Sequence, residues 1–135
     1  MSHINILRKA NVDDCDFVFK LRNSWGVRRQ SWNINSISRE EHIEFWKKNF
    51  LNYWIITRVT DDKPIGFVRI IDGEVSIAID SHYRNEGYGS KAIEILMDIC
   101  PEMMATVKLS NNKSLAFFLR NDFKIKGFVL SKVKK

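Results

Sequence analysis

Apolar residues 4, 6, 7 and 10 interleave with polar ones in INILRKA, which reads as a first strand. From Val12 the period changes. Phe17, Val18 and Leu21 share one face of a helix predicted over VDDCDFVFKLRN, with Asp13 or Asp14 as its cap. Residues 24–37, SWGVRRQSWNINSI, keep no period and read as irregular. Ser38, followed three residues later by Glu41, is a capping-box pattern that opens the next helix. Ile43, Trp46 and Phe50 recur along it at helical spacing.

Three strands follow. YWIITRV is separated by TDDK from PIGFVRII, and Asp72-Gly73 supplies the two positive-φ positions of a tight hairpin into EVSIAID. A helix over 87–99 places Ala92, Ile95, Leu96 and Ile99 inward, with Pro101 as its stop. MMATVKL reads as a strand, NKSLAFFLRN as a helix and FKIKGFVLSKV as a closing strand. The predicted order is β-α-α-β-β-β-α-β-α-β, an α/β (α+β) chain without repeats, linkers or low-complexity tracts.

A length of 135 residues fits one domain, 1–135, with a core large enough to need no staples. The 44% apolar and 28% charged content is that of an ordinary globular chain. No apolar run approaches the roughly 20 residues that span a bilayer, and MSHINILRKA lacks the basic-then-apolar build of a signal peptide. Cys15 and Cys100 form no CxxC pair and read as reduced thiols, so a cytoplasmic protein is expected. The net charge of +6 favours anionic partners in general. The tail KIKGFVLSKVKK alternates lysine with apolar residues, which is a strand pattern before it is a nucleic-acid patch. None of the four tryptophans belongs to a nucleic-acid motif, so neither nucleic acid nor membrane is an expected partner.

The stretch HYRNEGYGSKA carries the most chemistry. Gly87-Tyr88-Gly89-Ser90-Lys91-Ala92 satisfies G-x-G-x-x-A, the dinucleotide fingerprint, at a helix start. That fingerprint leaves its strand almost directly and needs an acid about 20 residues on to hold a ribose. Here six residues, Ser81 to Glu86, intervene, the later segment VKLSN offers Lys108 and no carboxylate, and the strands upstream form an antiparallel meander. The dinucleotide reading falls. Arg84-x-x-Gly87-x-Gly89 remains, a turn whose consecutive N–H groups and new helix end suit a diphosphate. A plain glycine-assisted helix start is the other reading of the same residues.

IAIDSHYRNEGYGSKAIEIL resembles the acetyl-CoA-binding motif of the GNAT acetyltransferases, R/Q-x-x-G-x-G/A after the fourth strand. NNKSLAFFLRNDFKIKGF is similar to their next motif, and the predicted element order is also theirs. The resemblance implies the GNAT fold, a mixed central sheet with antiparallel N-terminal strands and helices on both faces. It implies acetyl-CoA as acyl donor, with no metal. Backbone groups of Ile77, Ala78 and Ile79 would pair with the pantetheine arm, and Arg84, Asn85, Glu86, Gly87, Tyr88, Gly89 and Ser90 would cradle the diphosphate. Asn111, Ser114 and Phe118 would line the cofactor arm. Asn111 can equally be a simple helix cap. Phe118 stands where many family members carry a thiolate-protonating tyrosine, and phenylalanine cannot donate.

LRNSWGVRRQSWNINSISREEHIEFW is similar to GNAT enzymes that N-acetylate amino sugars of sugar nucleotides, those of the pseudaminic acid pathway above all. That likeness implies a primary amine acceptor, an amino sugar or nucleotide-linked amino sugar, and a monomer or homodimer. A peptide N-terminus, a polyamine, or a catalytically silent acyl-CoA-binding module are the alternatives. Glu74 is the first candidate base and His42 the second, with His82 third; each can also be a merely exposed or capping residue. Arg28 and Arg29 suit a nucleotide diphosphate, and Trp25 and Trp32 a sugar or base ring, unless the tryptophans close the core and the arginines are solvated. No residues have metal-ligand spacing and no Ser-His-Asp set stands out.

Overall fold

The computed structural model describes residues 5–29 and 35–134, without the side chain of Trp25. Four strands form one sheet in the order β1-β2-β3-β4: β1 (Leu7–Lys9), β2 (Tyr53–Thr57), β3 (Pro64–Ile71) and β4 (Glu74–Ile79). All three pairings are antiparallel. Helices α1 (Cys15–Asn23), α2 (Trp25–Arg28) and α3 (Arg39–Asn49) lie between β1 and β2, and α4 (Tyr88–Met97) and α5 (Asn112–Arg120) follow β4. Asp72 and Gly73 have φ of 51° and 78°, so the β3–β4 hairpin turns as the Asp-Gly pair predicts.

Strand alternation sends side chains to two cores. Val18 and Leu21 of α1 and Trp46 of α3 pack with Tyr53, Ile55, Phe67 and Ala78 on one face. Ala92, Ile93 and Leu96 of α4 and Phe118 of α5 pack with Ile56, Val68 and Val75 on the other. Ile65 joins the second core and Phe67 the first, although they are two residues apart. The register shift between Ile56 and Thr57 inserts one extra residue in β3 and so changes which way Ile65 points. Gly66 follows it, and a Cβ there would sit 2.6 Å from the Ala78 carbonyl oxygen. Glycine lets β3 and β4 close at this point.

Asp14 stands at the N-cap of α1, as predicted, but its side chain makes no cap bond to the helix; the capping is one turn earlier. The Asn11 side chain accepts from the Asp13 N–H, and Asp14 accepts in turn from the Asn11 N–H, closing a capping box over a 3-10 turn at Val12–Asp14. Ser38 caps α3 as predicted, accepting from the Glu41 N–H at 3.1 Å. In α4 the buried face is Ala92, Ile93 and Leu96, while Ile99 lies beyond the helix end and is 59% exposed.

The two C-terminal strands of the predicted order do not form. In 103–109 only Met104 pairs, in a parallel bridge to Glu74, with the Val75 N–H donating to its carbonyl and its own N–H donating to Gly73. Residues 124–134 form no regular element, and Phe128 and Leu130 are 84% and 90% exposed. Alternation alone does not make a strand, which needs a neighbouring edge to pair with. With 105–108 turned away from β4, the tail has no ladder to extend.

Candidate active site

The departure of 105–108 from β4 opens a cleft of about 970 Å³, with β4 as one wall and residues 106–118 as the other. In β4 the Val75 N–H points outward to Met104. Strand alternation therefore also turns the backbone groups of Ile77 and Ile79 outward, and those of Ala78 toward β3. Ala78 departs from the sequence expectation: its side chain lines the cleft, but its backbone is committed to the sheet.

Beyond β4 the chain makes a 3-10 turn at Ser81–Tyr83, capped by Asp80, and reaches the glycine loop. Arg84 is folded back onto the protein. Its Nε donates to the Ile79 carbonyl at 3.0 Å, and its guanidinium packs over Gly26, where a Cβ would lie 3.3 Å from it. Arg84 thus fastens the loop to the strand end and to α2. Asn85 and Gly87 have φ of 64° and 85°, and Gly87 begins α4 with no side chain capping the helix. The first-turn N–H groups of α4 are consequently open to an anion, and the helix dipole favours one. Gly89 serves packing, because a Cβ would meet the Phe117 ring at 2.9 Å. Glu86 is exposed and lines a separate small depression with Tyr88 and Lys91.

The opposite wall carries Asn111, Ser114 and Phe118. Asn111 is the cap of α5, its Oδ1 accepting from the Ser114 N–H at 3.1 Å. Phe118 is 6% exposed and packs edge-on against Phe123, with centroids 4.9 Å apart, so it belongs to the core as much as to the cleft. Arg28, Arg29 and Glu74 also line the cleft, the Glu74 side chain at its exposed rim. Trp32 and the Trp25 side chain lie outside the described residues.

His42 does not reach the cleft. It is 1% exposed, stacked on Trp46, donating from Nε2 to the Cys15 carbonyl at 3.0 Å and accepting at Nδ1 from Arg22 at 3.0 Å. Burial pushes its pKa down, the Cys15 bond partly opposes this, and the Arg22 charge adds to the lowering. It is a neutral core histidine that orients Arg22, which corrects its sequence role as a base. His82 pairs with Asp80 at 2.9 Å in the exposed 3-10 turn and is not part of the cleft lining.

Tyr53 and Arg69 also line the cleft and were given no role from the sequence, and Arg22 joins them, known from the sequence only as part of the LRN segment that resembles the amino-sugar enzymes. Tyr53 pairs with Arg69, and Arg69 with Ser76, so the three form one row across the sheet on the α1–α3 face. Strand parity could have found Arg69, since PIGFVRII places it two residues from inward-facing Phe67. Helical spacing could have found Arg22, four residues from buried Val18. Among the described residues no group of three His, Cys, Asp or Glu side chains is placed to hold a metal, and both cysteines are free.

An antiparallel sheet with helices on both faces, an uncapped glycine-led helix and a cleft along β4 together suit a ligand that carries an anionic group such as a diphosphate. The chain matches the model of the acetyltransferase (GNAT) family over residues 19–123 and belongs to that family. It is therefore an acyltransferase, and the enzymes of this family use acetyl-CoA. A search of curated proteins gave no match. Among solved structures, the chain is similar to spermidine N-acetyltransferase from Vibrio cholerae in complex with CoA and spermine, at TM-score 0.80 and 18% identity over 93% of this chain and 84% of that one. It is similar to ribosomal-protein-alanine N-acetyltransferase from Brucella melitensis, at TM-score 0.73 and 17% identity over 91% and 86%. The yncA protein from Salmonella typhimurium with its cofactor acetyl-CoA matches at TM-score 0.70 and 18% identity over 91% and 82%. These likenesses establish the fold. No helix among the described residues is long and apolar enough to cross a membrane.

Proposed function

We propose that this enzyme, acting as a single domain, transfers an acetyl group from acetyl-CoA to the primary amine of an amino sugar, one linked to a nucleotide. The observation that carries the reading is the continuity of the cleft, from the uncapped first turn of α4 past the outward edge of β4 to Arg22 and Arg69. Bound acetyl-CoA supplies an acyl group on a thioester, ready for attack by an amine. The residues suited to hold it are the loop Asn85–Ser90 at the diphosphate, the outward backbone of Ile77 and Ile79 along the arm, and Asn111 and Ser114 opposite. Glu74, at the rim of the cleft, is the carboxylate suited to take a proton from the incoming ammonium. Outward N–H groups on β4 are the donors suited to developing negative charge on an acyl oxygen. Arg28 and Arg29 sit where they can meet an acceptor diphosphate.

The acceptor is tested by measuring thiol release from acetyl-CoA with nucleotide-linked amino sugars, polyamines and short peptides in parallel. A nucleotide-linked amino sugar should give the highest kcat/KM, and preference for spermidine or a peptide N-terminus would overturn the acceptor. The buried phenyl ring of Phe118 favours a second reading, an acyl-CoA-binding module without turnover. Stabilisation by acetyl-CoA with no thiol release from any amine would select it.

A further inference from the structure

Only two buried side-chain polar atoms among the described residues lack a hydrogen-bond partner, Tyr53 Oη and Arg69 Nε. They belong to directly paired residues on β2 and β3, and both side chains line the cleft. Arg22 joins them from α1, its guanidinium held over the Phe45 ring at 4.7 Å and bonded to His42. Among the described residues no carboxylate pairs with Arg22 or Arg69, whose only side-chain partner besides is the Ser76 hydroxyl at 3.2 Å. Burial lowers the Arg22 pKa; Tyr53 opposes that shift, while the charge of Arg69 reinforces it. Two cations and a hydroxyl gathered without an acid are the components of an anion site. Glu41 and Glu74 are the acids lining the same cleft, both with exposed side chains.

We infer that Arg22, Tyr53 and Arg69 form a recognition site for an anionic group, phosphate or carboxylate, on the acceptor. The inference rests on the reading of this cleft as an amine-acceptor site and narrows it: the acceptor carries a negative charge beside its amine, unlike a polyamine. The neutral His42 behind Arg22 fixes the guanidinium without adding a charge of its own.

The test compares amines matched except for the charge. Glucosamine 1-phosphate against glucosamine probes phosphate, and serine against serinol probes carboxylate. Wild-type kcat/KM should favour the anionic member of at least one pair by about tenfold or more. Arg69→Met should bring that ratio near one with the KM for acetyl-CoA unchanged, and Tyr53→Phe, which keeps the shape, should reduce it a few-fold. Thermal stabilisation by the same anionic amines, lost in both variants, reads the site without any turnover. Equal use of both members of each pair, or a preference and stabilisation unaffected by either variant, would overturn the inference. If no amine is acetylated but Arg69-dependent stabilisation persists, the anion site stands and the acetyl-transfer reading falls.

Discussion

Replacing Gly66 by alanine tests the link between strand packing and the cleft. The new Cβ would stand 2.6 Å from the Ala78 carbonyl oxygen and 3.2 Å from the Ile79 Cα, both backbone atoms that cannot rotate away. Relief to an ordinary contact of about 3.4 Å requires β3 and β4 to part by about 0.8 Å in an interior packed at crystal-like density. Overpacking of this kind costs about 1–3 kcal/mol, reduced by a few tenths because alanine has less freedom than glycine when unfolded. For a chain of 135 residues that is a fall in Tm of about 3–10 °C. The movement carries Ile77 and Ile79, so acetyl-CoA affinity should fall with stability. Gly127→Ala is the control, since a Cβ there meets nothing within 4 Å. Calorimetric melting and acetyl-CoA titration of both variants are the assay. A Gly66→Ala melting point within about 1 °C of wild type would refute the close β3–β4 approach.

His42 is held neutral, so acid should weaken the fold. Its lowered folded pKa means the unfolded chain takes the proton first, and stability falls as pH drops below the ordinary 6.5 toward the folded value. Urea unfolding from pH 8 to 5 should show that slope, and His42→Gln should flatten it. Asp14→Ala removes two 2.8 Å bonds to Arg8 and the bond to the Asn11 N–H; about 1–2 kcal/mol should be lost in denaturant titration, moderated by the solvent around Arg8. Burial pushes Asp14 up, but the Arg8 and Asn11 bonds together hold it below its usual value, so its contribution is present at neutral pH and disappears in acid. Charge reversal at Arg28 and Arg29 should raise the acceptor KM and leave the acetyl-CoA KM near wild type, and unchanged steady-state kinetics would remove them from the acceptor site.

Local signals carried the fold where elements are stabilised locally. The Asp72-Gly73 hairpin, the Ser38 cap and the glycine-led start of α4 depend on residues adjacent in the chain, and each was legible. The C-terminal strands were not, because pairing of MMATVKL and FKIKGFVLSKV depends on distant partners that alternation cannot specify. In the site, the glycine loop was visible as a string, but the job of Arg84 was not. Its bond to the Ile79 carbonyl and its packing on Gly26 join three separate segments. His42 illustrates the converse error, since a titratable residue near a helix start looked like chemistry until α3 buried it against Cys15 and Trp46. Arg69 went unread, and Arg22 was seen only as part of the LRN likeness, because single arginines look solvated until the facing helix and strand are assembled.

The central claim is that acetyl-CoA lies along the outward edge of β4 with its diphosphate at the first turn of α4. Amide chemical shifts followed during an acetyl-CoA titration test it directly. The amides of Ile77, Ile79, Tyr88, Gly89 and Ser90 should move together and saturate, while those of His42 and Trp46 stay in place. No saturable movement, or movement confined to residues away from β4 and α4, would contradict it.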